Sequence, residues 1–313
     1  MKRWLGPAVG LLLAGLAAWA LQRFCAGLSW DQVATALGRL GLPHLLVLGL
    51  LPVVSILLLA ALDRRHARHL GHGLPVATAL VGVACAQGVS LNIGNSLVMG
   101  GAVRLRIYGA LGLPLGHGAI LAALNFLAVN LGVAALAGMA WLLAPPQPQA
   151  IGRALAAVGI AAGLGWVVLA LVHDPLIGRT PFLTRLVGRM PSPRLACLGL
   201  ATGLVEKAIV TAGLLVLLPS PSALGATPAE VVAAFLAAVV VGKWSQVPGG
   251  LGVIEAAFIG LLPTAPTGDL LAQVVAAFIA FRLAYYLLPL LTAGSLLLAG
   301  EARAWRWLPR ITP

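Results

Sequence analysis

The residues of this chain best placed to do chemistry lie in one interrupted hydrophobic segment that runs from Lys243 to Glu255. Apolar stretches flank it on both sides, at 231–241 and 256–262. Inside a bilayer each unpaired backbone group or bare charge is costly, so such a segment persists at membrane depth only where it lines a cavity or packs inside protein. We therefore treat it as a candidate binding site. Its polar and helix-breaking residues are Lys243, Gln246, Pro248, Gly249, Gly250, Gly252 and Glu255.

Three more charges lie deep in apolar stretches. Glu206 and Lys207 are about a dozen residues into the stretch that begins at Leu195, and Arg282 is about as deep in the last stretch. Burial at such depth is costly for each of them. Successive helical residues point about 100° apart, so we expect Glu206 and Lys207 to face different partners across the bundle.

The charges assigned to the interior favour an anionic ligand. With Arg104 and Arg106 included, five cations stand against two carboxylates. Half-helices that begin after Gly101 and Gly250 would also direct free N–H groups and a positive dipole end into the same space. The alternative is a salt-bridge network that only locks the helices together.

The composition indicates a polytopic membrane protein. Of the 313 residues 60% are hydrophobic and 9% are charged, and the mean hydropathy is +1.01. A net charge of +12 is also typical of nucleic-acid-binding proteins. Here, however, the Lys and Arg residues are scattered in short loops, without a basic face interleaved with aromatic residues, so we expect no nucleic-acid partner.

The hydropathy pattern predicts six membrane spans, each long enough for a hydrocarbon core of about 30 Å. Between the first two, the segment from Ser29 to Leu40 has its apolar residues on one face, which predicts a short helix on the membrane surface. The predicted spans are 5–24, 43–62, 118–143, 151–173, 195–218 and 270–299.

The loop charges predict the orientation. Lys and Arg concentrate at 2–3, 64–68, 179–194 and 303–310, whereas the loops at 144–150, 219–229 and 263–269 have none. Basic loops stay in the cytoplasm. We therefore predict a multi-pass protein of the bacterial inner membrane with cytoplasmic N- and C-termini.

This orientation requires two segments to enter the membrane and return. Residues 74–117 start and end on the cytoplasmic side, and residues 230–263 start and end outside. The limbs of the second, Ala229–Gly242 and Leu251–Leu262, are about half a crossing in length. We predict two re-entrant helical hairpins, with tips at Gly100 and Gly101 in the first and at Pro248, Gly249, Gly250 and Gly252 in the second. The alternative is a pair of ordinary hairpins that span fully.

The two halves then have the same order of span, span, hairpin and span, in opposite directions. We predict one all-α membrane domain over 1–313, with inverted-repeat halves at about 1–143 and 151–300. Interrupted segments at corresponding positions of two halves point to a transport site near the midplane.

Other signals point away from an enzyme. The chain has no P-loop, catalytic-triad spacing or HExxH motif, so we predict no enzymatic activity and no cofactor. His66, His69 and His72 have no accompanying carboxylate, and we predict no metal site. The three cysteines are far apart; we expect no disulfide and interpret Cys85 and Cys197 as small buried hydrophobic residues.

Two motifs resemble those of the lysylphosphatidylglycerol synthase transmembrane-region family, also described as flippase-like proteins. The resemblance covers nearly the whole chain, and the second motif is fairly specific. The resemblance implies that the protein moves phosphatidylglycerol-derived phospholipids between leaflets. It also implies that the chain is similar to the stand-alone members, which lack an aminoacyl-transferase domain. The motifs are Asn92-Ile93-Gly94 through Gly100-Gly101-Ala102-Val103-Arg104-x-Arg106-x-Tyr108 with Gly112-Leu113, and Val247-Pro248-Gly249-Gly250-Leu251-Gly252-Val253-Ile254-Glu255-Ala256.

The predicted function is therefore translocation of an anionic phospholipid. The expected partners are membrane phospholipids and, in addition, a second copy of the chain or a lipid-synthesis protein. Arg104, Arg106 and Arg282 would contact the phosphate, Glu206 and Glu255 would organise these cations, and Lys207, Lys243 and Gln246 complete the predicted binding set. Two alternatives remain: an ion-coupled small-solute transporter in which Glu206 and Glu255 carry protons, and a non-transporting scaffold for lipid synthesis.

Overall fold

A computed structural model of the chain describes residues 30–93, 96–144, 149–177, 191–245 and 247–313. Within these ranges the chain forms helices and contains no β-strand beyond one isolated bridge between Gly73 and Thr312. Five of the described helical stretches are long and apolar enough to cross a membrane. The prediction of an all-α polytopic membrane protein is confirmed.

We number the helices in the order of the chain. A short 3₁₀ turn, Pro248–Gly250, separates α8 from α9, and one turn of π-helix, Leu283–Leu287, joins α10 to α11. The helices are α1 Trp30–Gly38, α2 Leu42–His69, α3 Val76–Ile93, α4 Ser96–Ala110, α5 Leu115–Leu143, α6 Gln149–Ile177, α7 Pro193–Leu217, α8 Pro228–Trp244, α9 Val253–Leu261, α10 Gly268–Arg282 and α11 Leu288–Ala302.

The predicted spans at 43–62, 118–143 and 195–218 coincide with α2, α5 and α7, and the span at 270–299 is formed by α10 and α11 together. The span at 151–173 lies within α6, whose described apolar core is the shorter stretch 156–171. The span at 5–24 falls outside the described residues. The predicted surface helix is α1, which packs through Val33 and Ala36 against Ala276 of α10.

The second hairpin consists of α8 and α9. Its first helix begins with a capping box, in which Thr227 and Glu230 satisfy each other's backbone N–H groups. The helix break lies at Pro248–Gly250, as expected from the sequence. Gly249, Gly250 and Gly252 have φ angles of 61°, 59° and 75°, which residues with a Cβ atom rarely adopt.

The first hairpin consists of α3 and α4, and its break was predicted at the wrong place. Helix α3 ends at Ile93 and α4 begins at Ser96, so Gly100 and Gly101 lie inside α4. Their role is close packing: a Cβ atom at Gly100 would lie 3.3 Å from the Ser90 side chain of α3, and one at Gly101 would lie 3.6 Å from Ala122 of α5. Small residues serve helix contacts in this way throughout membrane proteins.

The two hairpins enter the bundle from opposite ends. Helix α2, which leads into the first hairpin, runs antiparallel to α7, which leads into the second: Leu51 packs against Gly213, and Ser55 contacts Glu206. The inner ends meet, because a Cβ atom at Gly249 would lie 3.6 Å from the Leu91 carbonyl oxygen of α3. This end-to-end contact is compatible with hairpins that stop inside the bundle. Helix α3, however, is the fifth of the stretches long and apolar enough to cross a membrane, so the re-entrant form of the first hairpin stays a prediction.

The last residues of the chain fold back onto the base of the first hairpin. Trp305 is buried against Gly300, and the Thr78 hydroxyl donates to the Pro309 carbonyl at 2.7 Å. Backbone hydrogen bonds join Gly73 to Thr312 and Ile311 to Leu111. This tail therefore ties together the start and the end of the first hairpin.

Candidate functional site

Arg282 is the centre of the tip of the second hairpin. Its Nε and Nη2 atoms donate to the two carboxylate oxygens of Glu255, the latter at 3.0 Å. Nη1 donates to the Gly249 carbonyl at 2.9 Å and Nη2 to the Gly250 carbonyl at 3.1 Å. Because a guanidinium has five N–H donors, this clamp leaves one N–H of Arg282 for a ligand.

The inner end of the first hairpin and the π-turn complete the surroundings of the tip. The Tyr286 ring lies 5.1 Å from the Arg282 guanidinium, a cation–π distance. Asn92 of α3 donates to the Tyr286 carbonyl at 3.0 Å and to the Gly88 carbonyl at 2.8 Å. Single π-turns inside helices occur frequently at functional sites. The tip, the end of α3 and the π-turn thus converge on one polar region.

A second buried cluster surrounds Glu206. Its Oε1 atom accepts hydrogen bonds from Ser55 at 2.5 Å and from Tyr285 at 2.8 Å, and Gln87 donates to Ser55 at 2.9 Å. Its Oε2 atom lies 2.9 Å from the Lys207 ammonium. The expectation that Glu206 and Lys207 face different partners is wrong, since the long, flexible lysine side chain turns back across the 100° between them.

Lys243 lies at the inner end of α8, next to the break. Its ammonium donates to the Asn130 side chain of α5 at 3.0 Å, and it is close enough to Glu206 and Lys207 to interact electrostatically with both. The Lys243 side chain is nevertheless exposed, and Trp244 is 78% exposed. Lys243 therefore lies at the surface of the bundle between α5 and α8.

Arg104 belongs to a different cluster, which the sequence interpretation missed. Asp63 of α2 is fully buried and accepts from Arg104 at 2.9 Å, from Tyr108 at 2.8 Å and from Asn125. Arg104 also donates to the Gly100 carbonyl. These bonds join α2, α4 and α5, so Arg104 lies in a buried network with Asp63 and apart from the tip of the second hairpin.

Arg106 is also placed differently from the prediction. It forms an exposed bidentate ion pair with Glu301, at 2.8 and 2.5 Å, near the end of α11. Once Asp63 and Glu301 are counted, five cations stand against four carboxylates, so the expected excess of three positive charges falls to one. Asp63 is next to Arg64, and Glu301 is two residues before Arg303. Each lies at the end of an apolar stretch, and for this reason the sequence alone assigns both carboxylates to solvated loops.

Of the predicted binding residues, Glu206, Lys207, Lys243, Glu255 and Arg282 surround the tip and its neighbouring cluster. Gln246 lies outside the described residues. The spacing of residues in α2 could have revealed the missed Ser55 and Asp63. Together with Leu51 and Leu59 they recur every four residues, which places all four on one face of the helix. In the structure that face is buried.

The histidines and cysteines were considered separately in the sequence. Among the described residues, the His, Cys, Asp and Glu side chains form no group of three or more placed to hold a metal ion. His72 instead makes a 2.6 Å hydrogen bond with His117. Cys85 is buried, as expected, whereas Cys197 is exposed on the helix surface, contrary to expectation.

Comparison with known proteins gives one distant similarity. No family model matches the chain. An uncharacterized protein from Synechocystis sp. is 27% identical over 298 residues, which cover 92% of this chain and 88% of that protein. The alignment thus includes both hairpins and the residues that surround their tips.

Proposed function

We propose that this protein moves an anionic phospholipid between the leaflets of the bacterial inner membrane. The observation that carries the proposal is the exposed Lys243 side chain on the side of the bundle, which donates to the half-buried Asn130 beside the inner end of the second hairpin. The resemblance of the two hairpin motifs to the lysylphosphatidylglycerol synthase transmembrane-region family supports the same substrate class.

A charged side chain on the side of the bundle suits a lipid better than a small solute. When a phospholipid crosses a membrane, its head group needs a polar path while its acyl chains stay in the hydrocarbon. Around Lys243 the exposed side chains are apolar, at Val241, Trp244 and Leu251, which provides such a boundary. A small solute would instead require a pathway enclosed on all sides.

The charges near the tip suit a negative head group. Lys207, Lys243 and Arg282 are positive and Glu206 and Glu255 are negative, so this group carries one net positive charge. In a poorly solvated region, a fixed cation offsets much of the cost of removing a phosphate from water. We therefore expect phosphatidylglycerol to move faster than a zwitterionic lipid.

Lys243→Gln tests the proposal. Loss of one charge-assisted hydrogen bond to the phosphate predicts about tenfold slower exchange of fluorescent phosphatidylglycerol in proteoliposomes. Arg65→Gln, at an exposed position near the end of α2, is the control and should exchange lipid at the normal rate. Equal rates for Lys243→Gln and the unmodified protein would refute the proposal, and solute uptake driven by a pH gradient would favour the ion-coupled transporter.

The proposed orientation has its own test. Ser222 and Thr267 are exposed near the base of the second hairpin, in loops without Lys or Arg. In a background lacking the native cysteines, single cysteines at both positions should react with an impermeant thiol reagent added from outside. Labelling of only one position would contradict the inverted arrangement of the two halves.

A further inference from the structure

The tail after α11 forms a basic pocket beside the Arg106–Glu301 pair, separate from the tip of the second hairpin. An open surface depression of about 580 Å³ is lined by Arg303, Arg306 and Trp307, together with Ala302 and Ala304. It lies at the end of the bundle where the tail contacts the base of the first hairpin. None of these side chains takes part in the tip, the Glu206 cluster or the Asp63 cluster.

The backbone at this pocket is strained in a way that shapes it. Ala304 and Trp305 have φ angles of 47° and 58°, which are unfavourable for residues with a Cβ atom. The two successive residues turn the chain so that Trp305 packs into the core against Gly300. Arg303 and Arg306 stay exposed on either side of this insertion. Strain of this kind is often retained where it arranges a binding site.

No carboxylate among the described residues neutralises the charge of the two arginines. Glu301, the nearest carboxylate in sequence, accepts from Arg106 through both of its oxygens and from the Trp305 indole at 3.4 Å. Across the described ranges, Arg303 and Arg306 form no ion pair with any carboxylate. The pocket therefore presents two guanidinium groups, whose planar donor sets match phosphate oxygens.

Features beside the arginines indicate that the phosphate belongs to a lipid. Trp307 is 41% exposed, and tryptophan is enriched where membrane meets water. Leu298, one turn before Ala302 on α11, is 76% exposed and offers an apolar surface for an acyl chain. We propose that Arg303, Arg306 and Trp307 bind the head group of an anionic phospholipid that stays in the leaflet at this end of the bundle. This lipid is retained and is distinct from the one transported.

The test uses the full-length chain in detergent, titrated with phosphatidylglycerol and observed by native mass spectrometry. We expect one tightly held lipid per chain. Arg303→Gln/Arg306→Gln should bind it about 30-fold more weakly, because each interfacial arginine contributes roughly a fivefold preference for an anionic lipid. The matched control is Arg65→Gln/Arg68→Gln, which removes two exposed arginines near the end of α2 and should retain the lipid.

Further arms separate the alternatives. If the two double variants bind the lipid equally weakly, general surface charge explains the binding and the proposed site is wrong. Displacement of the lipid by millimolar inorganic phosphate would show that a soluble phosphate is the ligand. If the glutamine variant does not fold, Arg303→Lys/Arg306→Lys should still bind several-fold more weakly, because lysine cannot form the bidentate contact. Leaflet exchange should persist in these variants; its loss would show that this lipid is the transported one.

Discussion

Replacing Asp63 by alanine is expected to lower the free energy of unfolding by about 3 to 5 kcal/mol, because it leaves the Arg104 guanidinium buried without a counter-charge. The same change removes the acceptor of the Tyr108 hydroxyl and the Asn125 amide, both of which are buried. The loss of stability would be measured by heating the purified protein in detergent and monitoring the folded fraction by size-exclusion chromatography.

A matched control separates burial from pairing. Glu301 also forms a bidentate pair with an arginine, but its side chain is 44% exposed, so Glu301→Ala should change stability little. A double variant, Asp63→Leu/Arg104→Met, should recover most of the stability, since removing both buried charges avoids the unpaired one. Equal and small effects of Asp63→Ala and Glu301→Ala would contradict the network's structural role.

Replacing Arg282 by alanine should have the second largest effect, and this effect should extend to function. The change leaves Glu255 and the carbonyls of Gly249 and Gly250 without their shared donor. We expect a loss of about 3 kcal/mol in stability and the disappearance of lipid exchange in proteoliposomes. Arg282→Lys keeps the charge but cannot donate to all four acceptors. It should therefore recover only part of the stability and part of the lipid exchange.

The control for this change is Arg106→Ala, which removes an arginine of an exposed pair and should leave both measurements nearly normal. A double variant, Glu255→Gln/Arg282→Gln, tests the charges themselves. Normal lipid exchange in that variant would mean that the pair serves only to hold the tip together. A protein that folds well but no longer exchanges lipid would place the pair in the transport step.

The second hairpin was predictable because its residues allow little else. Pro248 cannot continue a helix, and the glycines that follow tolerate the left-handed conformations seen at 61° and 59°. Gly100 and Gly101 look the same in sequence but occupy a helix. A glycine that permits a turn and a glycine that permits close packing cannot be distinguished without knowing the neighbouring helices.

The charge pairs were harder to predict, for a different physical reason. Arg282 and Glu255 were identified because each stands alone in an apolar stretch. Asp63 adjoins Arg64 and Arg65, and this short run of charges has the composition of a solvated loop. In the structure α2 continues to His69, so Asp63 stays inside the bundle while Arg65 lies outside. Because residues two apart point to nearly opposite sides of a helix, the face on which each charge lies decided which charges are buried.

The attachment of the tail to the first hairpin also constrains the order of events during biosynthesis. Thr78 and Pro309, which share a hydrogen bond, are 231 residues apart in the chain. At a ribosomal rate of about 5 to 20 residues per second, roughly 10 to 50 s separate their synthesis. Throughout that interval the first hairpin lacks its hydrogen bonds to the tail. The contacts between the tail and the first hairpin can therefore form only after Pro309 has been synthesised, long after the hairpin itself.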